Sequence, residues 1–340
     1  MSYLLAENPE AQAWVDRKKT ALRHQGVFGQ LKGAVVWSDV TGADGNLLVP
    51  VDPDELVANI NANGWPLLKG HDPGFPLGKV LAAEAFTCAS GQKFVAAVFG
   101  FYDGARLSFH DLRLDQMGDV ASPTLLPGFP DNCWITLATD PREVDADWIN
   151  DVVRSAPIPV KQTEVSHNAA DTAQDLIQIG VLFLALIWNP FVTAVASEAG
   201  KDAYANLRRW LRGVLNKLSE RRSPILEIQS HHNDCHISFL FRGSDVRRNY
   251  AAFDFLPVAA AHAQNLVRNM KKVGLPPKLI VYEFHPQEDK WFPSFAELRD
   301  GRLVTDNSIL IATERLPSGL SLGISRDKNR SGLPSVKELP

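Results

Sequence analysis

Cysteine is scarce in this chain: 340 residues carry three, Cys88, Cys133 and Cys235, far apart and odd in number. That argues against a disulfide framework and for a reducing compartment. No Gly-x-x-x-x-Gly-Lys-Ser/Thr loop occurs, and no Gly-x-Gly-x-x-Gly follows a strand pattern, so phosphate-loop and dinucleotide-binding chemistry are not indicated. The opening Met1-Ser2-Tyr3-Leu4-Leu5-Ala6-Glu7 lacks the basic start and long apolar core of a secretion signal, and a cytoplasmic location is expected. No internal repeat is visible.

What is present is globular in character, with 45% hydrophobic residues and length enough for two domains. The net charge of −4 conceals an asymmetry, because residues 1–175 hold 13 Lys/Arg against 23 Asp/Glu while residues 176–340 hold 22 against 16. The basic half is the one suited to an anionic partner such as a phospholipid surface.

Strand and helix patterns follow from spacing. Residues 1–25 read as a helical lead-in and residues 27–37 as a strand punctuated by Gly29 and Gly33. Asp52-Pro53-Asp54 caps a helix over 55–61. Residues 78–86 and 93–102 are strands joined by a polar turn, residues 104–117 suit a second helix, and residues 133–138 form one more strand. The expected class is therefore α+β, with a β-rich, barrel-like domain over 1–154 and a Pro/Ser/Asn/Asp-rich linker over 155–175. Residues 223–325 form an α+β domain: a hairpin around His231-His232-Asn233-Asp234, a helix over 245–272 interrupted at Pro257, and strands at 278–284, 291–295 and 309–314. Residues 326–340 are a flexible tail.

Between the two domains lies a hydrophobic helical segment, 176–222. Residues 176–196 carry no charge, and as a helix they are long enough to cross a bilayer core of roughly 30 Å. Two readings stand open: a helix in or on a membrane, or buried core helices broken at Pro190. Residues 201–222 then place Leu207, Trp210, Leu211, Val214, Leu215 and Leu218 on one helical face, with Arg208, Arg209, Arg212 and Lys217 opposite. A membrane surface could meet this segment, and so could another element of the fold. Aromatic interleaving is lacking, and no nucleic-acid partner is expected.

The densest local signal is residues 65–80, where an apolar run delivers His71-Asp72 into a Pro/Gly turn and leaves through Gly78 into a strand. An imidazole there suits general base work, and as a turn residue it equally suits holding a loop. Gly33-Ala34-Val35-Val36 comes earlier, then Asp44-Gly45 before Pro50, a helix with Asn59 and Asn61, and Pro66-Leu67-Leu68-Lys69-Gly70-His71-Asp72 ending in Pro76-Leu77-Gly78-Lys79-Val80. Over roughly residues 27–140 this order resembles the phage prohead (capsid maturation) serine protease family, related in fold to herpesvirus-type capsid proteases. The resemblance implies a phage-related or bacterial serine endopeptidase with His71 as catalytic base and a serine on a later strand as nucleophile. Ser122, in Val120-Ala121-Ser122-Pro123, stands at about that place, although the family's Gly-Leu-Ser-Ile-Gly-Phe element does not surround it. Ser108 and Ser321, the latter in Gly319-Leu320-Ser321-Leu322-Gly323-Ile324, are rivals. The third member stays open among Asp72, Glu143, Asp145 and Asp147, with Asp72 better suited to capping the turn because neighbours on a strand point opposite ways. The alternative is a non-catalytic membrane-associated or partner-binding protein that keeps a protease-like fold.

His231, His232, Cys235 and His236 are zinc-ligand types, but they crowd a hairpin tip without a second Cys/His pair at finger spacing. No metal and no cofactor is expected, the partner is a protein substrate or partner protein, and the oligomeric state is left open.

Overall fold

A computed structural model describes residues 2–42, 45, 47, 51–69, 72–102, 107–114, 134–139, 144–164, 175–181 and 198–306. The fold is a mixed α+β arrangement built on a four-stranded and an eight-stranded sheet.

The smaller sheet contains β1 (Gln30–Ser38), β2 (Trp65–Leu68), β3 (Pro76–Thr87) and β4 (Lys93–Phe101), in the order β1-β4-β3-β2. All its neighbours are antiparallel. The run Phe94-Val95-Ala96-Ala97-Val98-Phe99 is buried along its whole length, as a strand covered on both faces requires. One face, with Phe94, Ala96 and Val98, meets α1 (Ser2–Ala6) and α2 (Pro9–Arg23) through Leu4, Trp14 and Val15. The other, with Val95, Ala97 and Phe99, meets α3 (Pro53–Asn63) through Ile60. α3 begins as the sequence indicates, at Asp52-Pro53, whereas the single helical lead-in expected over 1–25 divides into α1 and α2 at an Asn8 cap. Asn8 accepts from Ala11 N ahead of Pro9, and Asp52 accepts from Asp54 N and Glu55 N ahead of Pro53. The expected barrel is corrected: no sheet closes on itself among the described residues. Helices already bury both faces of the smaller sheet, so closure is not needed to hide them.

The larger sheet runs β12-β11-β10-β9-β8-β7-β5-β6. Its strands are β5 (Ile135–Thr139), β6 (Val160–Glu164), β7 (Asp175–Val181), β8 (Pro224–His232), β9 (Cys235–Arg242), β10 (Pro277–His285), β11 (Lys290–Leu298) and β12 (Leu303–Val304). Three helices, α4 (Ala146–Arg154), α5 (Glu198–Lys217) and α6 (Val246–Lys272), lie between β5 and β6, β7 and β8, and β9 and β10. Each of these strand pairs is parallel and adjacent, the pattern of βαβ crossovers.

Several expectations change here. The strands over 135–139 and 160–164, expected in the N-terminal unit and the linker, belong to the larger sheet. The start of the uncharged run is strand β7, paired with β5 and β8, not helix. A short apolar run between strands reads equally as either, and only its neighbours decide. Residues 182–197 lie outside the described residues. The helix expected over 104–117 is a set of turns over the described 107–114, where Arg113 has φ of 56°, which a helix cannot contain. α6 passes through Pro257 unbroken, held on the sheet by Phe253, Leu256, Ala259 and Ala260. The strand expected at 309–314 and the tail lie outside the described residues.

The stripe of α5 faces inward: Leu207, Trp210, Leu211, Val214 and Leu215 are buried in the core between helices and sheet. Trp210 Nε1 donates to Val152 O at 3.0 Å. Outside, Arg208 and Arg212 both reach the Asp254 carboxylate of α6. No helix among the described residues is long and apolar enough to cross a membrane.

Candidate functional site

The opposite face of the larger sheet carries Ile225, Leu240, Val281, Phe295 and Leu303, and these pack against Phe28, Phe75 and Tyr102 of the N-terminal part. The Pro/Gly turn after β2 enters this seam. Lys69 N donates to Phe75 O, Phe75 N to Asp72 O, and Gly74 N to Asp72 Oδ1 at 2.8 Å, so Asp72 caps the turn. Its carboxylate is buried, at 3% exposure, and also accepts two bonds from Arg242 of β9, at 2.5 and 2.8 Å. The same guanidinium donates twice to Glu283 of β10, each at 3.1 Å, and lies 5.6 Å from the Phe75 ring centroid. Burial alone would lower the Arg242 pKa, but its bonds to Asp72 and the charge of Glu283 raise it above the usual guanidinium value. Gly74 fits tightly here: a Cβ would run into the Arg242 guanidinium and the Glu283 carboxylate.

A second ion pair, Lys79 to Glu297, joins β3 to β11. Burial first, and the charge of Glu297 second, push the Tyr102 phenol well above its ordinary pKa. The turn after β2 is therefore a joint between the sheets. Sequence reasoning placed Asp72 as a cap but missed Arg242 and Glu283. They lie 170 and 211 residues away from it, and no local pattern announces a long-range ion pair.

His71 and Ser122, the expected base and nucleophile, lie outside the described residues, as do Glu143 and Ser321. Ser108 is described, and it is engaged: its Oγ donates to Asp306 Oδ1 at 2.5 Å and accepts from Asp111 N at 3.1 Å. Asp145 caps α4 through Trp148 N at 2.7 Å, a bond that leads the causes lowering its pKa; Arg221 contributes as well. Asp147 lies in the exposed first turn of α4.

The His-rich hairpin is tightly closed by Asn233 and Asp234, whose φ values of 49° and 60° give a two-residue turn matched to strand twist. The candidate zinc ligands divide between the two faces, because His231 pairs across the strands with His236 and His232 with Cys235. The His231 and His236 rings stand 4.7 Å apart. Burial first and His231 second press the His236 pKa down to about 4, while burial pushes the Cys235 thiol up to about 12. Among the described residues no three His, Cys, Asp or Glu side chains gather as a metal would need.

One more surface stands out. Among the seven large apolar side chains exposed in the described residues, three, Phe255, Val258 and Phe292, border one groove between α6 and the β10–β11 hairpin. It encloses about 350 Å³ and is completed by His262, Trp291 and Pro293. Scattered apolar residues are ordinary on a surface, but a cluster around a concavity marks a contact site.

No known protein family, curated protein or solved structure matches this chain.

Proposed function

We propose that the chain is a partner-binding protein that retains the order of protease-like elements without acting as a peptidase. The observation that carries this reading is the engagement of Asp72. A catalytic imidazole needs a neighbouring group to orient it and an open path to substrate. Here the carboxylate adjacent to His71 is bound by Arg242 and Gly74, and Asp72, Gly74 and Phe75 face the second sheet. The clustered apolar residues at the α6 groove favour a protein partner over a lipid surface, since the apolar stripe of α5 is already enclosed in the core.

Exposure of the full-length protein to a serine-directed fluorophosphonate probe tests this against endopeptidase activity through His71 and Ser122. The expected result is no labelling above that of heat-denatured protein. Labelling of the wild type that disappears in both His71→Ala and Ser122→Ala would overturn the proposal and establish the peptidase reading.

A further inference from the structure

We propose that the occupant of the α6 groove is a second copy of this chain, docked about a two-fold axis. This rests on the partner-binding reading and names the partner. Phe255 and Val258 on α6 and Phe292 on the hairpin are each 40–45% exposed and border one apolar groove, so exposed and concave apolar surface lie together. An isologous contact uses the same patch twice, and requires that the patch complement itself. Exposed apolar side chains around an apolar hollow offer a patch that a second copy can present in turn.

The charges meet it as well. Asp289 and Lys290 line the groove, adjacent and opposite in sign, and both are exposed. Neither has an ion-pair partner among the described residues, whereas nearby Glu288 faces His285 at 4.0 Å. A patch selecting a foreign acidic or basic partner would carry a surplus of one sign. A balanced pair instead lets Asp289 of one copy meet Lys290 of the other, and the reverse, across the axis.

The sheet edge adds a third observation. β12 pairs with β11 only at Ala296 and Glu297, and no strand among the described residues pairs with the outer edge of β11 over 290–295. A two-fold axis beside Phe292 would bring two such edges together in antiparallel sense. Pro293 lacks an N–H, so continuous strand pairing is interrupted there and side chains supply most of the contact.

Sedimentation velocity on the full chain, over a roughly hundredfold range of micromolar concentration, should show a monomer–dimer equilibrium. Phe292→Asp should raise the dimer dissociation constant by at least about thirtyfold, as truncation of an interface anchor does. Val258→Asp, on a different element, should act the same way, with far-UV circular dichroism unchanged in both. Asp289→Lys and Lys290→Asp should each weaken the dimer alone, and a mixture of the two should restore it, because both cross-axis pairs are then of opposite charge. A wild type that stays monomeric, or a dimer indifferent to both aspartate variants, overturns self-docking. A monomer that also fails to react with the serine probe defeats this inference and leaves the partner-binding reading standing, whereas His71- and Ser122-dependent labelling defeats that reading whatever the oligomeric state.

Discussion

The two sheets solve the burial problem in different ways. The smaller draws its strands from residues 30–101, pairs them all antiparallel, and hides both faces beneath helices from residues 2–63. The larger draws on residues 135–304, mixes parallel and antiparallel neighbours, and places its helices over one face. Its second face is closed from outside, by Phe28, Phe75, Tyr102 and the turn bearing Asp72. The smaller sheet is thus complete in itself, and the larger depends on a loan of side chains from it. The joint is also of a different kind. Apolar contacts weaken by degrees when trimmed, but a buried carboxylate that loses its cation has no second-best arrangement.

The largest effect should therefore come from the joint. Arg242→Met removes the one cation that binds Asp72 among the described residues and leaves that carboxylate buried at 3% exposure. The expected destabilisation is about 3–5 kcal/mol, the usual result of breaking one half of a buried pair. Urea unfolding followed by circular dichroism measures it. Adding Asp72→Asn to Arg242→Met should recover part of the loss, because a neutral amide is easier to bury than an unpaired charge. A single variant as stable as the wild type would mean that the seam is held by its apolar residues alone.

A second difference concerns pH. In the larger sheet His236 has its folded-state pKa lowered from 6.5 to about 4, by burial and by His231. The unfolded chain then binds its proton first on acidification. Stability from this group is complete above pH 6.5 and is lost progressively as pH falls towards 4, by up to roughly 3 kcal/mol. Unfolding free energies measured across that interval should decline in the wild type, and His236→Gln should flatten the decline. An unchanged pH profile in the variant would assign the acid sensitivity to other groups.

How much could be read in advance follows the same division. The N-cap Asp52, the strands around 78–86 and 93–102, and the Asn233-Asp234 hairpin all express local chemistry, and each was legible from a few neighbouring residues. β7 was misread as helix because Leu176-Ile177-Gln178-Ile179-Gly180-Val181 is apolar enough for either state, and its strand identity comes from β5 and β8. β6 was misread as linker for a related reason: its Lys161-Gln162-Thr163 is polar and exposed, so no apolar alternation marks it. At the joint, Asp72 was legible as a turn cap, because an Asx turn is a local event. Arg242 and Glu283 were not, because their partnership exists only after two distant segments meet. Nothing in Phe241-Arg242-Gly243 distinguishes this arginine from one in solvent.

A smaller perturbation separates the sheets again. β2 pairs with β3 only as far as Val80, and further along the edge Asn61 of α3 substitutes for a strand. Its Nδ2 donates to Ala83 O at 2.9 Å and its Oδ1 accepts from Ala83 N at 3.0 Å. Asn61→Ala removes both partners and should cost about 2 kcal/mol. The loss should show first as faster hydrogen exchange at the Ala83 amide.

The smallest expected effect tests how self-contained the smaller sheet is. Asp52→Ala deletes the acceptor for Asp54 N and Glu55 N, and an exposed N-cap of this kind contributes about 1 kcal/mol. α3 covers only one sheet, through Ile60 against Val80, Val95 and Ala97. Loosening its first turn should therefore raise exchange in α3 and β3 and leave β8, β9 and β10 as protected as before. If protection in the larger sheet fell in parallel, the two sheets would open as one cooperative unit. The joint at Arg242 would then transmit every disturbance of the smaller sheet into the larger.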